Sequence, residues 1–160
     1  MKRIPLAIFL LICCLPAQAE YVRGTGGMVA SRSDLASKVG SSILMKGGNA
    51  IDAAVATGFA LAVTYPSAGN LGGGGFMVLS RPDGEVLTLD FREKAPAAAH
   101  RDMFLDSDGN VDRQLARASR QSSGVPGTVA GLLEALNKYG TMTPAEVMPQ
   151  PYPWQRKALS

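Results

Sequence analysis

Beyond residue 14 this 160-residue chain has no cysteine, and its two thiols stand side by side at Cys13 and Cys14. Histidine occurs once, as His100. Charge is balanced rather than one-sided, with 16 Lys and Arg against 13 Asp and Glu, and no clustered basic stripe suggests a nucleic-acid partner. The apolar stretch from Ile4 to Leu15 is well short of the ~20 residues that a helix needs to span a bilayer, so no stable membrane span is expected.

What the first residues do contain is a basic start (Lys2, Arg3), that apolar stretch, and Ala17-Gln18-Ala19, a small-x-small cleavage pattern. Residues 1–19 are therefore expected to be a secretory signal peptide cut after Ala19, which places the product in the periplasm or outside the cell. Cleavage removes both cysteines, and with them disulfides, Cys-ligated zinc and cysteine nucleophiles. It also leaves 14 basic against 13 acidic side chains, a net charge of +1, so the basic pI of the whole chain carries no functional message.

SDLASKVGSSILMKGG has the spacing of a one-sided helix from Ser33 to Gly47-Gly48, with Leu35, Val39 and Ile43 along one face. NAIDAAVATGFALAVTYP predicts a second helix, with Asn49 as N-cap, Asp52 closing a capping box and Pro66 beyond the end. Its small and apolar residues predict burial on most sides. FMVLS and EVLTLDF flank Pro82-Asp83-Gly84 and predict a hairpin. A long irregular connection follows, then a helix with Val129, Leu132, Leu133 and Leu136 on one face, ended by Gly140. Thr143, Pro144 and Glu146 announce one more helix.

Four consecutive glycines, Gly72, Gly73, Gly74 and Gly75, suggest a phosphate cradle, but such a loop must lead into a helix whose amides face the anion. Here a strand follows, which favours close approach of backbone, with crowding against the Ala-rich helix a sufficient cause. In DSDGNVD the alternation of Asp106, Asp108, Asn110 and Asp112 resembles a calcium loop. Val111 stands where an EF-hand needs Gly and Arg117 where it needs an acid, so a solvated turn is expected. His100 would need a serine and a carboxylate brought to it by the fold. Arg92, at the end of a strand in DFREKAP, has the best site chemistry: a guanidinium on fixed backbone can hold a carboxylate through two parallel hydrogen bonds. The plainer alternative is an ion pair with Glu93 or Asp90.

Three separated segments carry a family resemblance: GMVASRSDLASKVGSSILMKGGNAIDAAVATGFALAVTYPSAGNLGGGGFMVLS, DFREKAPAAAHRDMFLD and SGVPGTVAGLLEALNKYGTM. Together, from about Gly27 to Val147, they resemble the N-terminal region of gamma-glutamyltranspeptidases, also called glutathione hydrolases. The resemblance implies an α+β fold, the N-terminal part of an αββα sandwich of the N-terminal-nucleophile hydrolase type. It implies a precursor that cuts itself into a large and a small subunit, with the small subunit's new N-terminal threonine as nucleophile and no metal or organic cofactor. Glutathione or another γ-glutamyl compound is the implied substrate, with water, an amino acid or a peptide as acceptor. Arg92 matches the arginine that binds the glutamyl α-carboxylate, and Gly72, Gly73, Gly74 and Gly75 match a structural strand start near the active site. No Thr-Thr-His-like segment occurs, so no catalytic residue is expected in this chain.

Residues 20–147 thus read as a partial large-subunit domain. From Met148 onward the resemblance stops, and prolines 149, 151 and 153 forbid the helix announced at Thr143. A reading frame starting at the last base of the Met148 codon opens with GCC, alanine, and permits Pro, Ala or Thr, and Leu, Ile or Val next. Residues 148–160 are therefore expected to be a frameshifted or non-native tail. Two alternatives stay open: a fragment of a related cephalosporin or glutaryl acylase or poly-γ-glutamate-processing enzyme, and a non-catalytic remnant or γ-glutamyl-binding module.

Overall fold

The computed structural model describes residues 23–148; the expected signal peptide and the tail from residue 149 lie outside them. Helix α1, Asp34–Met45, begins where the Ser33 hydroxyl accepts from the Ala36 amide. It ends where the amides of Lys46, Gly47 and Gly48 turn back onto the Ile43 and Leu44 carbonyls, with Gly47 at φ 91°, a conformation that favours glycine. Helix α2, Ala50–Thr64, carries the expected capping box, Asn49 accepting from the Asp52 amide while Asp52 accepts from the Asn49 amide. Strands β1, Phe76–Ser80, and β2, Val86–Asp90, pair antiparallel in the register Phe76 to Asp90 through Ser80 to Val86. Helix α3, Arg113–Ala118, and a 3₁₀ turn at Arg120–Ser122 precede α4, Thr128–Tyr139, and α5, Pro144–Val147.

The core lies between the helices. Ala36, Val39 and Ile43 of α1 meet Ile51, Ala53, Val55, Ala56 and Ala60 of α2, and Leu132, Ala135 and Leu136 of α4 close the other side with Val147 of α5. The sheet lays only its inner face, Met77, Leu79 and Leu89, on this cluster. Both strands alternate exposed and half-buried, and Phe76, Val78 and Val86 stand in solvent on the outer face.

Two expectations need correction. The buried face of α1 is Ala36, Val39, Gly40 and Ile43, and Leu35 is 40% exposed, because α1 crosses α2 at its small residues. On α4 the buried row is Gly131, Leu132, Ala135 and Leu136, leaving Val129 39% exposed for the same reason of close backbone approach. Helix α2 is buried on most sides, as its small and apolar residues predict: Ile51, Asp52, Ala53, Val55, Ala56, Thr57 and Ala60 are buried, while Ala50, Ala54 and Val63 are exposed. Helix α3 was not foreseen, although Asp112, which accepts from the Leu115 amide at 2.9 Å, is a readable N-cap.

The least exposed polar group in this frame is Asp52, at 0%. Besides the Asn49 amide at 2.7 Å, its carboxylate accepts from the Thr141 amide (2.9 Å), the Thr141 hydroxyl (2.7 Å) and the Met142 amide (3.1 Å). Asn49 adds a bond from its side-chain amide to the Tyr139 carbonyl at 2.7 Å. One carboxylate thus ties the start of α2 to the connection between α4 and α5. Burial pushes its pKa up, but the Thr141 hydroxyl and the three amides more than offset this and hold it below the ordinary value of 3.8.

Candidate active-site segment around Arg92

Residues 91–94 leave the end of β2 and run between two glycine-bearing segments. On one side the Phe91 amide donates to the Gly75 carbonyl at 3.0 Å and the Gly75 amide to the Phe91 carbonyl at 3.4 Å. On the other, Lys94 and Val125 exchange backbone hydrogen bonds of 3.2 and 2.8 Å. The two outer segments are themselves joined, because the Gly73 carbonyl accepts from the amides of Gly127 at 2.8 Å and Thr128 at 3.0 Å.

The glycines have a steric reason here that differs from the expected one. A Cβ on Gly74 would lie 2.6 Å from the Phe91 carbonyl oxygen and 2.7 Å from the Glu93 nitrogen. One on Gly75 would lie 2.9 Å from the Phe91 ring, and one on Gly73 2.7 Å from the Asn70 side-chain oxygen. What crowds Gly74 and Gly75 is the Phe91–Glu93 segment rather than the Ala-rich helix, whose Leu61 crowds Gly69 instead. Gly72 is exposed, its nearest neighbour being the Asn70 oxygen at 3.9 Å. No helix follows the glycines, so their amides do not form a phosphate cradle.

Arg92 itself points outward, its side chain 61% exposed. Its Nε lies 3.2 Å from Glu93 Oε2, and its guanidinium carbon sits 5.7 Å from the centre of the exposed Phe76 ring, within cation–π range. The Asp90 carboxylate accepts from the Arg92 backbone amide at 2.9 Å and so fixes the main chain rather than the guanidinium. A hydrogen bond from its own amide, then the Arg92 guanidinium, holds the Glu93 carboxyl below its usual range. Among the described residues Nη1 and Nη2 have no partner, so the end of the guanidinium is open to a planar anion. Beside it a cleft of about 360 Å³ is bounded by Phe91, Lys94, Pro126, Ala130 and Glu134.

The other candidate groups are not brought to this place. Asp106 accepts from the Asp108 and Asn110 amides, both at 2.9 Å, and Asp112 caps α3, so these carboxylates are used within their own loop. No cluster of metal-ligating side chains occurs among the described residues. His100 is exposed beside Asp102 and Gln121. A groove of about 690 Å³ lies elsewhere, between residues 26–32 and the outer flank of α2; Ala50, Ala54, Gly58 and Leu61 give it an apolar wall without acid–base chemistry. Sequence reasoning missed Gly127 and Gly131; the only available signal was their Gly/Pro-rich setting, SGVPGTVAG.

Helices packed on a short antiparallel sheet define an α+β protein, with an arginine presented at a strand end. The model for the family described as Gamma-glutamyltranspeptidase matches residues 36–151, and the chain belongs to that family. The glutathione hydrolase proenzyme of Escherichia coli strain K12 is 60% identical over 121 residues, 76% of this chain and 21% of that protein. The crystal structure of Helicobacter pylori gamma-glutamyltranspeptidase superposes with a TM-score of 0.77 at 50% identity, over 81% of this chain and 37% of that one. A cephalosporin acylase from Bacillus halodurans is similar at a TM-score of 0.70 and 26% identity, over 91% of this chain and 28% of that one. The chain therefore spans about a fifth of the length of the curated relatives it matches. Among the described residues no helix is long and apolar enough to cross a membrane.

Proposed function

We propose that this chain is the large-subunit part of an exported enzyme that cleaves γ-glutamyl amide bonds and passes the glutamyl group to water, an amino acid or a peptide. Arg92 holds the substrate's α-carboxylate. The observation that carries this reading is the open Nη edge of a guanidinium whose Nε is taken by Glu93, on backbone fixed from both sides. A carboxylate docked end-on there directs the remainder of a glutamyl group away from the strand. The small subunit of the same precursor supplies the nucleophilic threonine: its hydroxyl attacks the γ-carbonyl, its own α-amino group takes the proton, and the leaving amine departs with that proton. Water or an amine then attacks the resulting ester and frees the threonine. Residues 1–19 direct export, and residues 148–160 replace the true continuation through a frameshift.

Two experiments test this. In the ¹⁵N spectrum of the purified chain, the Arg92 Nε–H signal is expected to move on titration with L-glutamate, at an affinity of about 1 mM or weaker. It is expected to stay put with 4-aminobutyrate, which is glutamate without its α-carboxylate. An equal response to both compounds, or a response to neither, counts against the assignment of Arg92. Reading the DNA downstream of codon 147 in all three frames is expected to reveal a Thr-Thr-His-like segment; an unbroken frame ending after Ser160, with no such segment beyond it, contradicts the frameshift.

A further inference from the structure

We infer that Gly127, with Gly124 beside it, is a positioning residue that sets where the Arg92 guanidinium stands; this rests on the reading of Arg92 given above. The Phe91–Glu93 backbone is gripped between two glycines from distant parts of the chain. From the side of β1, a Cβ on Gly74 would fall 2.6 Å from the Phe91 carbonyl oxygen and 2.9 Å from the Arg92 carbonyl carbon. From the start of α4, a Cβ on Gly127 would overlap the same Phe91 oxygen and lie 2.8 Å from its carbon and 3.1 Å from the Arg92 oxygen. These neighbours are backbone atoms, which cannot swing aside as a flexible side-chain end does. A methyl group at Gly127 therefore has to move the peptide that carries Arg92, or lose the Gly127 bond to the Gly73 carbonyl.

Nothing else anchors the guanidinium as firmly. Its side-chain partners, Glu93 and Phe76, are themselves exposed, so its place is inherited from the peptide beneath it. A carboxylate held by two parallel bonds tolerates little displacement of the fork. Gly124 is a milder version of the same restraint, its Cβ falling 3.1 Å from Glu93 Cβ and 3.5 Å from the Lys94 carbonyl oxygen.

The test uses ¹⁵N spectra and amide exchange of the 160-residue chain as wild type, Gly127→Ala, Gly124→Ala and Gly26→Ala, the last at a position with no neighbour within 4 Å. In Gly127→Ala the Arg92 Nε–H signal is expected to shift and the Phe91 and Lys94 amides to exchange about tenfold faster. The Thr141 and Met142 amides, held by Asp52 away from this segment, are expected to keep their protection. Gly26→Ala should match the wild type, and Gly124→Ala should give a smaller displacement of the same signals. An unmoved Arg92 signal in Gly127→Ala overturns the inference, as does a uniform loss of protection in both Gly127→Ala and Gly124→Ala. If Gly127→Ala alone unfolds, Gly124→Ala decides by the Arg92 signal. Displacement of Arg92 in a chain whose wild type ignores L-glutamate would retire the carboxylate reading and leave the positioning role standing.

Discussion

At the scale of single residues, one buried carboxylate and one exposed guanidinium do different work. Asp52 faces four donors and has no solvent, so its contribution is to the frame. Asp52→Asn puts an NH₂ group among those donors and supplies only one acceptor oxygen. A loss of about 2–4 kcal/mol is expected in urea unfolding at pH 7, the usual cost of breaking a buried, charge-assisted network. Because the folded pKa lies below the unfolded value, this stabilisation is fully present above about pH 4 and fades as the pH falls through the folded pKa. The gap between wild type and Asp52→Asn is therefore expected to narrow in acid; a gap that widens there would contradict the assignment. Local sequence disclosed Asp52 only as the third residue of a capping box. Its partner Thr141 lies 89 positions away, and no periodicity carries that information. The position of Arg92 just beyond a strand end was legible for the opposite reason, since the pattern that marks that strand is local.

At the scale of elements, helix ends were the readable part. Ser33, Asn49 and Thr143 stand at the boundaries where their capping chemistry puts them, and Gly140 ends its helix in extended backbone, where a Cβ would lie 2.6 Å from the Asp52 carboxylate. Helix faces were read less well, because apolar spacing favoured Leu35 and Val129 whereas the packing is set by small residues. Gly40 is the test of that packing. A Cβ there would overlap the Thr57 hydroxyl and lie 2.9 Å from Val29 Cγ1 and 3.1 Å from the Ala53 carbonyl oxygen. Alanine improves intrinsic helix propensity by up to about 1 kcal/mol, yet overpacking at a helix crossing costs about 1–3 kcal/mol. Gly40→Ala is thus expected to lower the melting temperature. A rise would mean that α1 and α2 are not packed this closely.

At the scale of the whole molecule, the fold is one-sided. The helices bury the inner face of a two-stranded sheet, and the outer face leaves Phe76 65%, Val78 72% and Val86 62% exposed. An apolar sheet face left exposed among the described residues favours self-association. Val78→Lys is expected to reduce oligomers in light scattering, while changing unfolding stability by no more than about 0.5 kcal/mol because the site is exposed. Unchanged association would show that this face is not the sticky one. The same one-sidedness accords with the proposed division of labour, in which Arg92 would hold the substrate and the nucleophile lies elsewhere: no threonine in the chain stands in a Thr-Thr-His-like segment. The most direct test of that division of labour is the activity of the purified 160-residue chain on a γ-glutamyl anilide. No turnover above the uncatalysed rate is expected, and turnover that disappears in Arg92→Ala would contradict it by requiring a nucleophile within this chain.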